Sequence, residues 1–587
     1  MSYMIPRKTV VILIIAAVAG AILFYAAPVE IQPGEYDVLL IVETPEERIA
    51  FLFNVSFIID GEATESIYYV TGTYTNLRVT ASSQIPIAPN SKLSVIASAD
   101  GAPISADMIH LILSDDEEFS EIVRCSRQSG QIFSLEYQPL VRSQYAVMIL
   151  GVVAILWFTE GISLVATSLL IPVLIVLSDI RTPSAALAPF FDPAVALIFG
   201  GFLIGRALTK YELDKRLALL ILSRGEGSGS GLLLTVMGIT AFLSMWISNT
   251  ASAAIMIPIA LAVISRIQNM DVQEKYGKAL VLGVAYSATL GGVGSLVGSP
   301  PNPLAATYIT SFLGIEFSFI SWLPFGVPVV LIMLPLIWQW ILLRFKVPRN
   351  IDDIRDMKDV SLKEYLKLGP LSRQQKLVIS IFAIVVALWL TENLPDFMIS
   401  VIGWQGHGIS SSIVALIGGL SLLILRLLDE KDVSSQISWA SLMILGSGIA
   451  LGGAMIDTGL STYLAGQMSG LLVLPPMLVV VVIGIVSVLV TMVASNTGAA
   501  VILIPIAIPL ATGLEIDPLL ITMVIAIAVS MDFALPTGTP PSTIAYSTGK
   551  VEMREMITTG LFVDLLAVLI ITIFVVWLWG LLGLVII

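Results

Sequence analysis

From Gln144 onward the chain is dominated by apolar runs of membrane-crossing length, separated by short polar connections. They fall at 144–159, 162–178, 193–209, 280–313, 322–343, 376–391, 410–426, 440–457, 518–550 and 561–582. A helix rises about 1.5 Å per residue and the hydrocarbon core is about 30 Å thick, so each run predicts a membrane element. Thr9 to Ala27 adds another, which makes about eleven transmembrane helices. That first run follows Arg7 and Lys8 and is longer than the apolar stretch of a signal peptide, so a retained anchor is expected. Two further apolar stretches, 232–265 and 475–512, carry Ser-Asn-Thr at their centres and proline in their second arms (Pro258; Pro505 and Pro509). Polar tips inside apolar arms predict re-entrant hairpins that enter and leave from one side.

Between the anchor and Gln144 the period changes to two. Tyr36 to Val42, Ile49 to Ile59, Ser66 to Val70, Lys92 to Ala97 and Gln131 to Tyr137 alternate apolar and polar positions, and Asp60-Gly61, Pro89-Asn90 and Asp100-Gly101 break them. A small β-sandwich-like domain is expected there. The fold class is therefore an α-helical polytopic membrane protein with an inserted extracytoplasmic β-domain.

Composition agrees with a membrane protein: 587 residues, 56% hydrophobic and 12% charged. Residues 28–140 hold 17 Asp and Glu against 5 Lys and Arg, which is −12 of the chain's net −13, so the acidity belongs to the β-domain. A solvated acidic face accounts for it. One cysteine, Cys125, cannot form an intramolecular disulfide, and His110 and His407 are too few for a histidine metal site. Basic residues concentrate in alternate loops: Lys210, Lys215, Arg216 and Arg224; nine between Arg344 and Lys376; Arg426 and Lys431; Lys550 and Arg554. Loops 314–321, 394–409 and 459–474 have none, and 179–192 has only Arg181. This places the N-terminus in the cytoplasm and residues 28–140 outside.

Three motifs recur in order. Trp157-Phe158-Thr159-Glu160 returns as Trp389-Leu390-Thr391-Glu392, 232 residues on. Ser248-Asn249-Thr250 returns as Ser495-Asn496-Thr497 at 247, and Gly298-Ser299-Pro300-Pro301 as Gly538-Thr539-Pro540-Pro541 at 240. The matched spacings indicate a duplication, and the loop charges set its halves in opposite orientation, as inverted repeats. The domains expected are 1–27 (anchor helix), 28–140 (acidic β-domain), 141–343 (first repeat), 344–375 (cytoplasmic linker) and 376–587 (second repeat).

The polar tips offer hydroxyl and amide donors and acceptors, and the helix that starts beyond each presents free N–H groups. Each Gly-[Ser/Thr]-Pro-Pro break unwinds its helix, because proline removes a donor and glycine permits positive φ. The freed carbonyl oxygens suit a hard cation such as sodium, and hydroxyls with N–H groups suit an oxyanion. No Lys or Arg lies between Pro475 and Thr548. A divalent anion bound here lacks a fixed positive partner, which argues for cations bound beside it.

The two Ser-Asn-Thr hairpins, the Trp-x-Thr-Glu repeats and the paired Gly-[Ser/Thr]-Pro-Pro breaks together resemble the divalent anion/sodium symporter family, carriers of dicarboxylates, citrate or sulfate. The likeness covers the anchor and about 140–587. It implies a homodimer in which a transport domain moves against a scaffold like an elevator. It also implies one sodium site at Ser244, Ser248, Asn249 and Gly298, and another at Thr491, Ala494, Asn496 and Gly538. The implied substrate contacts are Ser248, Asn249, Thr250, Ser299, Asn496, Thr497, Thr539 and Pro540. The partners are a small dianion, sodium and membrane lipid, with no nucleic acid and no cofactor beyond the coupling ions.

This chain departs from the family pattern at Ser542, where the first half has Asn302, at Thr537, at Asp532 and in the inserted β-domain. Asp532 has two readings, a proton or cation carrier or a carboxylate bonded to helix ends for structure. Glu160 and Glu392 are expected to be structural, and His407, beside Trp404, solvated. The leading function is sodium-coupled transport of a di- or tricarboxylate such as succinate, malate, fumarate or citrate. Alternatives of the same fold are an exchanger, a proton-coupled form and a sulfate or other oxyanion carrier. One of another class is a receptor that senses ligand through the β-domain. No nucleophile–base pair points to an enzyme.

Overall fold

The computed structural model describes residues 141–587 except 160, 225–227, 355–356, 394–398, 400–402, 462–463, 465–467, 469–473, 515 and 587. It also describes the backbone of seven strands between 34 and 137, together with residues 12 and 15–19. Most of the expected anchor, and Glu160, lie outside these residues.

The strands are β1 (Gly34–Ile59), β2 (Glu62–Thr80), β3 (Ile85–Ile87), β4 (Leu93–Ala99), β5 (Ile104–Ser114), β6 (Phe119–Gly130) and β7 (Ile132–Tyr137). β1 is long enough to serve several partners: β2 runs antiparallel along most of it, β5 pairs with Asp37 to Glu43, and β4 with Phe53 to Ile59. The pairing joins all seven in one sheet of order β6-β5-β1-β4-β7, with β2 and β3 also on β1.

The helices in chain order are α1 (Val141–Thr159), α2 (Leu164–Leu177), α3 (Pro183–Leu187), α4 (Pro193–Lys210), α5 (Leu213–Leu222), α6 (Gly229–Ser244), α7 (Asn249–Ile264), α8 (Met270–Gly291), α9 (Pro301–Leu313) and α10 (Phe319–Phe345). There follow α11 (Met357–Lys367), α12 (Arg373–Leu390), α13 (Ser411–Ile424), α14 (Glu430–Gln436), α15 (Trp439–Asp457), α16 (Pro476–Val493), α17 (Asn496–Gly513), α18 (Pro518–Ala528), α19 (Pro540–Ser547), α20 (Met553–Leu569) and α21 (Val576–Leu581). Among the described residues seven helical runs are long and apolar enough to cross a membrane, and six shorter apolar helices accompany them. Two of the expected membrane elements are interrupted at their Gly-[Ser/Thr]-Pro-Pro breaks. The 280–313 run stops at Gly291 and restarts at Pro301, and 518–550 stops at Ala528 and restarts at Pro540. In both cases a proline pair opens the second helix, where its missing N–H costs nothing.

α4 and α13 pack as closely as backbones allow. A Cβ on Gly200 would stand 2.5 Å from the Ala415 carbonyl, and one on Gly419 2.6 Å from Leu203. Small residues at such crossings replace the hydrophobic drive that lipid does not supply. The two halves of the chain are also joined by charge at one end of α4, where Asp432, 5% exposed, holds Arg206 at 2.9 Å and also Lys210. Burial works to raise the Asp432 pKa, but the Lys210 and Arg206 hydrogen bonds outweigh it and hold the carboxyl below its ordinary value.

His407 differs from expectation. It is half-buried, with Nε2 2.8 Å from the Leu388 carbonyl and Nδ1 accepting from the Ile409 N–H, so it ties the loop to the end of α12 rather than standing in solvent. Glu392 is buried and accepts from the Ser411 hydroxyl. Trp389 donates to the Ser411 carbonyl at 2.9 Å and stacks on Phe319 at 4.7 Å.

Candidate functional site

Each Ser-Asn-Thr starts a helix. Ser248 caps α7 by accepting from the Ala251 N–H at 3.2 Å, and Ser495 caps α17 by accepting from the Gly498 N–H at 3.1 Å. The asparagine that follows is thereby fixed in the first turn, with its amide turned back toward the end of the preceding helix. Asn249 Oδ1 lies 2.7 Å from Ser244 Oγ, and Asn496 Oδ1 lies 2.9 Å from Thr491 Oγ1. Both hydroxyls also donate to a carbonyl: Ser244 to Ala288 at 2.5 Å, Thr491 to Val529 at 2.7 Å. One arrangement of amide, hydroxyl and carbonyl is thus built twice.

The first cluster shows what such a ring can hold. The inward atom of the Asn249 amide is 2.7 Å from Ser244 Oγ and 3.2 Å from each of the Ala288 and Gly298 carbonyls. Two arrangements satisfy those three oxygens: the amide nitrogen turned inward as a donor, or the amide oxygen turned inward with a cation among all four. Hydroxyl, amide and carbonyl oxygens are the donor set of hard cations, so these residues fit sodium.

The breaks complete the clusters. A Cβ on Gly292 would meet Asn249 Oδ1 at 2.4 Å, and one on Gly298 would meet the Gly292 carbonyl at 2.5 Å, so this turn admits only glycine at both places. Three groups brace it: Asn302 donates to the Gly292 and Ser295 carbonyls at 2.9 and 2.7 Å, Trp322 donates to the Val293 carbonyl at 2.7 Å, and Ser295 donates to the Met245 carbonyl. The Asn302 side chain therefore points into its own turn. Ser542, its counterpart, bonds to Thr539 at 2.9 Å, and the second break is braced by Thr543 donating to the Pro536 carbonyl at 2.7 Å. Where a resemblance alone would attach the Asn302/Ser542 difference to substrate, the geometry attaches it to the stiffness of the turn.

Of the residues expected at the site, Ser244, Asn249 and Gly298 come together, as do Thr491 and Asn496. Gly538 lies against Asp532, whose Oδ2 would be 1.8 Å from a Cβ added there. The Ser248 hydroxyl oxygen serves the helix cap, and Ala494 is buried at the end of α16. Ser299, Thr497 and Thr539 are buried, whereas Thr250 and Pro540 are exposed. The halves touch where Thr289 Oγ1 comes within 3.4 Å of Thr539 Oγ1. Sequence reasoning missed the Ala288 and Val529 carbonyls, which no side-chain pattern announces. It also passed over Tyr286 and Asp564, although a carboxylate inside the 561–582 run was a visible signal.

Residues 139–585 match the sodium:sulfate symporter transmembrane region. The chain is 32% identical over 459 residues to the sodium-dependent dicarboxylate transporter SdcS of Staphylococcus saprophyticus, covering 75% of this chain and 88% of that one. It is 32% identical over 444 residues to an uncharacterized transporter of Haemophilus influenzae, covering 74% and 92%. Among solved structures, MtrF of Neisseria gonorrhoeae aligns over 68% of this chain and 83% of its own at 15% identity and a TM-score of 0.45, too loose a likeness to carry an argument.

Proposed function

The chain belongs to the sodium:sulfate symporter family, membrane transporters rather than enzymes, and we propose that it carries a small di- or tricarboxylate such as succinate, malate, fumarate or citrate, driven by sodium. The observation that carries this reading is the doubled cluster of amide, hydroxyl and carbonyl oxygens, whose second copy sits in a stretch with no basic residue from Pro475 to Thr548. A dianion brought there uncompensated would lose its hydration with no charge to replace it, a cost of several kcal/mol per ion. Two cations bound at Asn249 and Asn496 supply the missing positive charge, and the hydroxyls and first-turn N–H groups of the tips then orient the carboxylates.

In this reading the halves are inverted repeats, the hairpin tips meet near the membrane midplane, and a homodimer lets the site-bearing part move past a fixed scaffold. The acidic segment is a separately folded domain on the outer face, and the N-terminus is cytoplasmic. The test is a panel of succinate, malate, fumarate, citrate and sulfate offered to proteoliposomes under an inward sodium gradient. Accumulation of at least one of the di- or tricarboxylates is expected. Accumulation of sulfate alone would move the protein to the oxyanion branch, and uptake of none would overturn the reading.

A further inference from the structure

Six residues before its glycine, the first break has Gly292 and the second has Asp532, and in each half that residue is what the glycine leans on. The second half thus places a carboxylate where the first has no side chain at all. Asp532 has company. Asp564, on α20, accepts from the Phe533 N–H at 2.9 Å; the Ala534 N–H faces both carboxylates and the Leu535 N–H faces Asp532, neither with a hydrogen bond of good geometry. Tyr286, on α8 of the first half, packs its ring edge-on to Phe533 at 5.2 Å and feels both carboxylates.

The polar accounting of this group does not close. Among the described residues both oxygens of Asp532, Oδ2 of Asp564 and the hydroxyl of Tyr286 are buried without a hydrogen-bond partner, in residues exposed by 2% or less. The cavity of about 250 Å³ that Asp564 lines is otherwise walled by apolar side chains, among them Val488, Leu489, Met492, Leu565 and Val568, and offers no ligand. Two carboxylates and a phenol gathered around Phe533, with no cation from the described residues among their partners, leave a charge that is expensive to bury uncompensated. The Tyr286 hydroxyl, fully buried and without a partner beside the two carboxylates, is the independent sign of a missing ligand.

We infer that Asp532, Asp564 and Tyr286 form a third cation site, which takes a hard monovalent cation of sodium's class in addition to the two at the asparagines. It rests on the sodium-coupled reading and deepens it: the second half carries fixed negative charge next to Gly538, so the loaded carrier holds one more cation than the doubled motifs alone call for. Oxygen ligands only, two of them charged, suit sodium over softer ions.

The test counts sodium directly, without substrate. Equilibrium binding of radioactive sodium to the purified full-length protein is measured for wild type, Asp532→Gly, which gives the second half the residue of the first, Asp564→Asn and Tyr286→Phe. Wild type should bind one sodium per protomer more than Asp532→Gly. Asp564→Asn should weaken the weakest-titrating site about tenfold or more, and Tyr286→Phe about threefold or more. Should the aspartate variants not fold, Tyr286→Phe, which removes a single oxygen, decides alone. Equal sodium counts in wild type and Asp532→Gly, or unchanged sodium affinity in Tyr286→Phe, would overturn the inference and leave the sodium-coupled reading standing. The inference falls equally if Asp532→Gly changes only a pH dependence, because the cluster then holds a proton. No sodium bound by wild type would overturn the reading itself.

Discussion

The two asparagine clusters are built from the same parts and differ in one neighbour. Around Asn249 the ring is a serine hydroxyl and the carbonyls of Ala288 and Gly298, with Gly292 leaving room for the amide. Around Asn496 it is a threonine hydroxyl bonded to the Val529 carbonyl, with the Asp532 carboxylate pressed against Gly538. A duplication that only packed helices would have no reason to keep a capping serine, an inward amide and a hydroxyl that bonds amide and carbonyl together in both copies. In the proposed reading their retention points to a bound ion, and the glycine-to-aspartate difference gives the two copies unequal electrostatics.

The comparison breaks most sharply at the shared residue. Asn249→Ala and Asn496→Ala each remove an amide that we place on both cation and substrate, and a hydrogen bond to a charged group is worth about 1.5–3 kcal/mol. Sodium-driven uptake should fall about tenfold or more in either variant, with the protein still folded by its elution volume and thermal transition. Near-normal uptake in one of them would mean that only the other half binds an ion.

The glycines sharpen it. Gly298→Ala drives a methyl into the Gly292 carbonyl, which is backbone and cannot step aside, whereas Gly538→Ala drives it into the Asp532 side chain. Both single variants should lose most of their uptake. Adding Asp532→Gly should restore folding and part of the uptake to Gly538→Ala. A double variant no better than Gly538→Ala would show that the Asp532 carboxylate is not what fills the space.

A smaller effect is expected where the halves are tied by charge. The Asp432 carboxyl is held below its ordinary pKa, so its contribution is present above the unfolded value and is lost as pH falls through the folded one. Asp432→Asn should lower the thermal midpoint at pH 7, by about 1–3 kcal/mol of stability, since Arg206 and Lys210 lose their shared partner. The difference from wild type should shrink below about pH 4. A gap that persists there would assign the loss to packing.

What the sequence makes legible depends on the kind of group each part is. The tips are legible because Ser-Asn-Thr is costly inside an apolar run, and the breaks because glycine and proline pairs cannot continue a helix. The helices at 213–222, 357–367 and 430–436 escape a hydropathy reading, which marks membrane elements and says little of short amphipathic ones. The carbonyls of Ala288 and Val529 are invisible because every residue has one and only tertiary geometry selects it. Asn302 reads from its motif only as the residue after the proline pair, and its two backbone bonds make it a brace. Asp564 is readable as a charge within an apolar run, and its meaning needs the fold to set it beside Asp532 and Tyr286.

Paired clusters that load cations would let a dianion enter a site whose second half has no basic residue from Pro475 to Thr548. Initial rates of succinate uptake into proteoliposomes, with sodium replaced stepwise by potassium or choline at constant ionic strength, test it most directly. Uptake should rise more steeply than linearly with sodium and vanish without it; equal uptake in potassium or choline would rule out cation loading at the paired clusters.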